Sequence, residues 1–255
     1  MNKKYIKLII VLLILSILFF VTIGIKLIKQ DKKNNYIIID DSFIMENHNN
    51  SWSIINKNIK KYNWKFYNIY VDHEYFGNHY LYFNNNTYIF DSNKRALNYT
   101  GELIAFNNKD YKDLNIDIKN SIDNTYLNKL LKKDKISSID GLKYNYYIDV
   151  DIDSDNEFEK IYVVTNKFSE ENKTNIDVSY VFFVDNNKIR ILYKEIKKND
   201  ERLSGCIPYI RNIIYDGEKH YVLLECASYS IGVKNVTLYE YSNRSFNKKL
   251  SFNYL

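Results

Sequence analysis

The run Asp149-Val150-Asp151-Ile152-Asp153-Ser154-Asp155-Asn156-Glu157-Phe158-Glu159 crowds six carboxylates into eleven residues. On a plain strand, Asp149, Asp151, Asp153 and Asp155 would all point to one face. Like charges held as neighbours there repel by up to a few kcal/mol at an effective dielectric of about 20. A loop that splays into water removes that cost, and so does a cation. The spacing favours the cation. Asp151, Asp153 and Asp155 alternate as ligand oxygens do in calcium loops, and Asn156, which tolerates a positive φ, takes the sharp-turn position. The Glu157 carbonyl and the Glu159 carboxylate then close the shell. The expected ion is Ca²⁺, held weakly, with a Kd of about 10⁻⁴ to 10⁻³ M as in extracellular modules. An EF-hand is excluded, because its closing glutamate would fall at Tyr162 and a strand follows instead of a helix. The other reading of these acids is a bare surface loop.

The order Asp151, Asp153, Asp155, Asn156, Glu159, followed by Ile161-Tyr162-Val163-Val164, resembles the calcium loop of FG-GAP/VCBS-type repeats, as in integrin-α-like propeller blades. That pattern is D-x-D-x-D-G-x-x-D before an apolar strand, with Asn156 here in place of the glycine. The resemblance implies a calcium-stabilised β-hairpin repeat at a cell surface, used in adhesion or ligand binding without catalysis. A degenerate second copy, Asp216-Gly217-Glu218-Lys219-His220-Tyr221-Val222-Leu223-Leu224, aligns with Asp155 to Val163. It has Asn212 and Ile214 at the earlier ligand positions, so it is not expected to hold metal. Two units are too few to close a propeller, which needs about four blades. An open or packed β arrangement follows.

A different chemistry would use Asp149, Asp153 or Glu159 as general acid or base in an extracellular hydrolase acting on a surface polysaccharide. Adjacency in sequence argues against it, since opposed roles need residues from separate segments. Cys206 and Cys226 lie ten residues either side of Asp216. If that turn closes a hairpin they come within bridging distance, forming a disulfide or resting as two buried thiols. His73-Glu74 with His79 is no zinc signature, because the helical H-E-x-x-H motif needs histidines four apart. No phosphate-binding loop, nucleophile elbow or dinucleotide fingerprint is present, and seven glycines leave little to build one.

These groups must be positioned by a mainly β fold with two short helices. Ser51 is expected to cap a helix to about Lys61, with Trp52, Ile55 and Ile59 on one face. From Trp64 to Phe106 apolar residues alternate, broken at Asp72-His73-Glu74, Asn84-Asn85-Asn86, Asp91 to Lys94 and near Gly101, which predicts an antiparallel meander. Asp123 is expected to cap a second helix to about Lys133, with Tyr126, Leu127, Leu130 and Leu131 as its apolar stripe. Strands follow at Lys160 to Thr165 and Ser179 to Val184, then a turn at Asp185-Asn186-Asn187 and a return from Lys188 to Lys194. Asn212 to Tyr215, Tyr221 to Glu225 and Val236 to Tyr241 continue the sheet. Pro208 marks an edge. The expected organisation is an anchor and basic flank over 1–33, a small α+β domain over 34–140, and a β domain over 141–255.

Leu8 to Ile25 is apolar except for Ser16, Thr22 and Gly24, and carries no charge. At about 1.5 Å per residue this run nearly spans a hydrocarbon core of roughly 30 Å, so one N-terminal transmembrane helix is expected, with residues 8–25 in membrane lipid. The following Ile23 to Lys29 is bulky and basic, without the small residues of a signal cleavage site. Lysines flank the run on both sides; the Met-Asn-Lys-Lys start favours a cytoplasmic N-terminus and an extracytoplasmic body. Of 36 basic and 31 acidic residues, seven lysines and one aspartate fall in 1–33, leaving 29 against 30 in the body. A body without basic excess is a poor partner for nucleic acid. The abundance of Asn, Ile, Lys and Tyr fits an AT-rich bacterial genome, and the Asn-x-Ser/Thr triplets follow by chance. The expected role is binding or structural, towards a cell-wall or surface ligand or a partner protein.

Overall fold

The computed structural model describes residues 34–254, except 41–42, 56–58, 85, 121–123, 140, 143, 168–175, 199–205 and 229–231. The expected transmembrane helix at 8–25 lies outside the described residues. Among those residues no helix is long and apolar enough to cross a membrane.

Three antiparallel sheets stack face to face. The front sheet holds β1 (Asn35–Ile39), β2 (Phe43–His48), β3 (Ser51–Ile55), β4 (Lys65–Val71), β5 (Glu74–Asn84), β6 (Asn86–Phe90), β7 (Ala96–Leu97) and β8 (Leu103–Phe106), ordered β3-β2-β1-β8-β4-β5-β6-β7. Along the chain come β9 (Lys112–Leu114), β10 (Ile118–Asn120) and the helix α1 (Thr125–Lys133). The rest is β11 (Tyr144–Val150), β12 (Glu159–Thr165), β13 (Ile176–Asp185), β14 (Lys188–Lys198), β15 (Cys206–Tyr215), β16 (His220–Ser228), β17 (Lys234–Ser242) and β18 (Ser245–Tyr254). The middle sheet is β18-β17-β16-β15-β9, and the back sheet β10-β11-β12-β13-β14.

Two-residue turns set much of this register. Asn49-Asn50, Asp72-His73, Asn186-Asn187 and Asn243-Arg244 all have positive φ at both positions, the geometry of type I′ hairpins. The first of these corrects the helix expected from Ser51. Asn49 and Asn50 reverse the chain, and Ser51–Ile55 pairs with β2 as a strand. Trp52 and Ile54 then face the core while Ser51 and Ser53 face water. A period of two thus outcompetes the three points that suggested a helical face. Only a 3-10 turn, Ile59–Tyr62, follows. Among the described residues α1 is the one α-helix. It follows Asn124 and buries Leu127, Leu130 and Leu131; the expected cap, Asp123, lies outside the described residues.

One hydrophobic core lies between the front and middle sheets and joins Ile37, Met45, Trp52 and Phe106 to Ile214, Leu223 and Leu238. Another lies between the middle and back sheets, with Ile161, Val163 and Phe183 against Ile213, Val222 and Leu224. The middle sheet is therefore covered on both faces, which is why β15 and β16 read as nearly continuous apolar runs. α1 covers the far face of the back sheet. Residues on both sides of position 140 share the first core, and β9 pairs with β15 across that position. Pro208 lies in β15 beyond the stretch that β9 covers, where one edge of the strand is free of ladder bonds.

Candidate metal centre

β11 ends at Val150 and β12 begins at Glu159, and the acidic loop spans the gap. Its turns use Ser154 at φ 62° and Asn156 at φ 68°, so Asn156 occupies a left-handed position where glycine is the usual residue. Backbone amides hold the carboxylates in place. Asp151 accepts from the amides of Asp155 (3.1 Å) and Asn156 (3.2 Å), Asp155 accepts from Glu157 (2.8 Å), and Glu159 accepts from Ile152 (3.1 Å).

The outcome is a triad. Asp151, Asp153 and Glu159 each offer an oxygen, all within 4.8 Å of one another. Asp155 and Glu157 fall outside this group, exposed on the loop. Burial, and behind it the charges of Asp155 and Asp151, raises the Asp153 carboxyl. Burial likewise raises Glu159, whose side chain enters the protein between the middle and back sheets. No ion pair reaches any of the three among the described residues. Asp149, two residues earlier, is the opposite case. Burial pushes it up, but Lys119 (2.6 Å) and Lys160 (2.7 Å) outweigh that and hold it below the usual carboxylate range. Three hard oxygen donors lacking a protein countercharge suit Ca²⁺ or Mg²⁺ rather than a soft metal.

The Asp216 turn, expected above as a degenerate second copy, is built differently. Asp216 accepts from the amides of Glu218 (2.9 Å) and Lys219 (2.7 Å) and from the Tyr221 hydroxyl (2.9 Å), so one aspartate closes the turn with internal donors. His220 packs on the Tyr215 ring at 4.7 Å. Burial lowers the His220 imidazole against the pull of Asp151, which places this histidine beside the first loop. Cys206 and Cys226 are disulfide-bonded with Cα atoms 5.4 Å apart, on β15 and β16, where Cys226 pairs with Pro208.

Two polar clusters have no local sequence signal. Arg211, almost wholly buried, donates to Asp40, to Glu225 (2.5 Å) and to the Tyr254 hydroxyl (3.0 Å). Lys234 reaches Glu225 from the other side at 2.8 Å. His73 Nδ1 lies 2.8 Å from the buried Asp113, which also accepts from Asn212 at 3.0 Å. Burial alone would lower His73, but the Asp113 carboxylate outweighs it and raises the imidazole. These partners come from strands far apart in sequence, so no spacing rule could have found them. Separately, Asn120, Tyr144, Tyr146, Pro208 and Tyr209 line a cleft of about 480 Å³ between β10, β11 and β15.

Compared with known proteins, the chain matches no family model, no curated protein and no solved structure. The resemblance to calcium-loop repeats therefore rests on the loop and its flanking strands alone.

Proposed function

We propose that this chain is a membrane-anchored, extracytoplasmic binding protein whose β body is fastened by calcium at the β11–β12 loop. The observation that carries the reading is the convergence of Asp151, Asp153 and Glu159 with no ion pair to any of them among the described residues. When bound, Ca²⁺ would supply the missing positive charge. Asp151 at the end of β11 and Glu159 at the start of β12 would hold it, with Asp153 from the loop between them. The chain's contribution is to fix the Asp151 and Glu159 carboxylates in advance through the amides of Ile152, Asp155 and Asn156. Tying the two strand ends together stiffens the connection beneath the back sheet. The tyrosine-lined cleft beside β11 has the volume of a ligand recess. Its rigid rings and wet hydroxyls suit recognition of a surface polymer or partner.

Calorimetric titration of Ca²⁺ into the detergent-solubilised full chain tests the site. One binding event with a Kd of about 10⁻⁴ to 10⁻³ M is expected, abolished in Asp151→Ala. Heats no larger than dilution in the parent chain would remove the calcium reading.

A further inference from the structure

The face of the front sheet that meets the middle sheet at β1, β2, β8 and β4 continues past it across β4, β5 and β6. There it carries two rows of aromatic rings. Register places Phe66, Tyr80 and Phe90 side by side and Tyr82 beside Tyr88 one pleat further on, where the Trp64 ring packs against Tyr82 and Phe90. Trp64 lies 5.3 Å from Tyr82 and 4.9 Å from Phe90, and Phe66 lies 5.0 Å from Tyr80, so the rings form one patch. Trp64 is 44% exposed, Phe66 49% and Tyr88 42%, unusual for large rings on a sheet face.

The position of this patch is informative. Asn35 of β1 aligns through β8 and β4 with Phe66, so the first aromatic row sits level with the start of β1 and the second lies beyond it. The patch thus crowns the end of the sheet at which the chain arrives from residue 33. Only eight residues, Lys26 to Lys33, separate the apolar run from that edge. Even fully extended they reach no more than about 30 Å. Exposed lysines stand at the same end. Lys94 lies over the Trp64 ring at 5.6 Å, Lys65 over Tyr36 at 5.6 Å and Lys61 over Tyr62 at 4.8 Å. Of the acids there, Asp91 is paired with Arg95 and Glu46 on β2 accepts from Asn34, while Asp110, Asp216 and Glu218 line a recess with Asn35, Asn47, Lys109 and Lys112 on the β1–β2 side of the rings. Tryptophan and tyrosine interleaved with lysine is the composition of a membrane–water interface, where rings sit at headgroup level and lysines meet anionic lipid.

We infer that the aromatic end of the front sheet rests in the headgroup layer of an anionic bilayer, so that the body lies against the membrane instead of hanging free from its tether. This rests on the anchor reading for residues 8–25. Trp52 is the other tryptophan and is core-buried. The emission difference between the parent chain and Trp64→Phe therefore isolates Trp64.

The test reconstitutes both full-length chains into vesicles containing phosphatidylglycerol, with bromine on the acyl chains near the headgroup. Flotation first establishes that the chain is in the vesicles. The expected result is loss of Trp64 emission to brominated lipid and protection from aqueous acrylamide. Both effects should shrink when Lys61, Lys65 and Lys94 are changed to glutamine, or when the vesicles are uncharged. Chains that float but keep full Trp64 emission overturn the inference while leaving the anchor intact. So does shielding of Trp64 by added wall glycan or by self-association without lipid quenching. Chains that fail to float remove the anchor and this inference together.

Discussion

Clustered carboxylates are handled in two ways in this molecule. At Arg211 the protein supplies its own cation, and Asp40, Glu225 and Tyr254 close around a guanidinium drawn from a different strand. At the β11–β12 loop, oxygens of Asp151, Asp153 and Glu159 lie within 4.8 Å of one another, with Asp151 and Glu159 steadied by backbone amides. Glu225 is pushed up by its burial, but Lys234, Tyr209, Tyr254 and Arg211 outweigh that and hold it below the ordinary glutamate range. Glu159 is raised by its burial. The same chemical group thus shifts in opposite directions according to whether a countercharge is built in. A permanent ion pair ties two sheets together; a cluster without one would, on the proposed reading, make the fold respond to added cation.

The strongest way to break this comparison is to remove the built-in cation. Arg211→Met leaves Asp40 and Glu225 without their guanidinium, and the expected cost is about 3–5 kcal/mol in urea unfolding. A change under about 1 kcal/mol would mean that solvent already screens the cluster. Removing calcium comes next. With the ion at ten to a hundred times its Kd, linkage gives a stabilisation of about 1.4–2.7 kcal/mol, absent in chelator and absent in Glu159→Gln.

The two sites should then differ in the sign of their pH response. In chelator the raised Glu159 makes the folded chain the better proton acceptor. Its contribution is therefore most favourable near and below the ordinary glutamate range, and it is lost as pH rises through the raised folded value. Glu225 runs the other way, contributing fully above the ordinary range and losing that contribution as pH falls through its depressed value. Unfolding of the parent, Glu159→Gln and Glu225→Gln across a pH series reads both slopes; equal signs would contradict the assignment. The smallest effect is expected at His73, which ties the β4–β5 turn to Asp113 on β9. His73→Gln should cost about 0.5–1.5 kcal/mol. It should also remove a contribution present below the ordinary histidine range and lost as pH rises through the raised value.

How much of this was readable in the chain depends on distance along it. The loop was legible because Asp151 through Glu159 lie within one turn-rich stretch, and their types and spacing state the problem of excess negative charge. Strands β12 and β13 were legible because their central positions are all apolar, Ile161, Val163 and Phe183 facing one core and Tyr162, Val164 and Phe182 the other. Ser51–Ile55 departs from the expected helix because Trp52, Ile55 and Ile59 fall at helical spacing, whereas in the strand Trp52 faces one core and Ile55 the other. The Asn49-Asn50 turn, with positive φ at both residues, decides for the strand. Asp155 stands outside the triad, where its carboxylate accepts the Glu157 amide between the left-handed turns at Ser154 and Asn156. The Arg211 cluster could not be read at all. Asp40, Arg211, Glu225 and Tyr254 meet only after two sheets have packed.

The central claim is that the acidic loop is an ion site and not a decorated surface. Thermal unfolding of the full chain in detergent, with excess Ca²⁺ and with chelator, tests it most directly. At about 2–4 °C per kcal/mol for a body of this size, the account predicts a midpoint higher by about 3–10 °C with calcium, and no difference in Asp151→Ala. Coincident melting curves for the parent chain in the two conditions would contradict it.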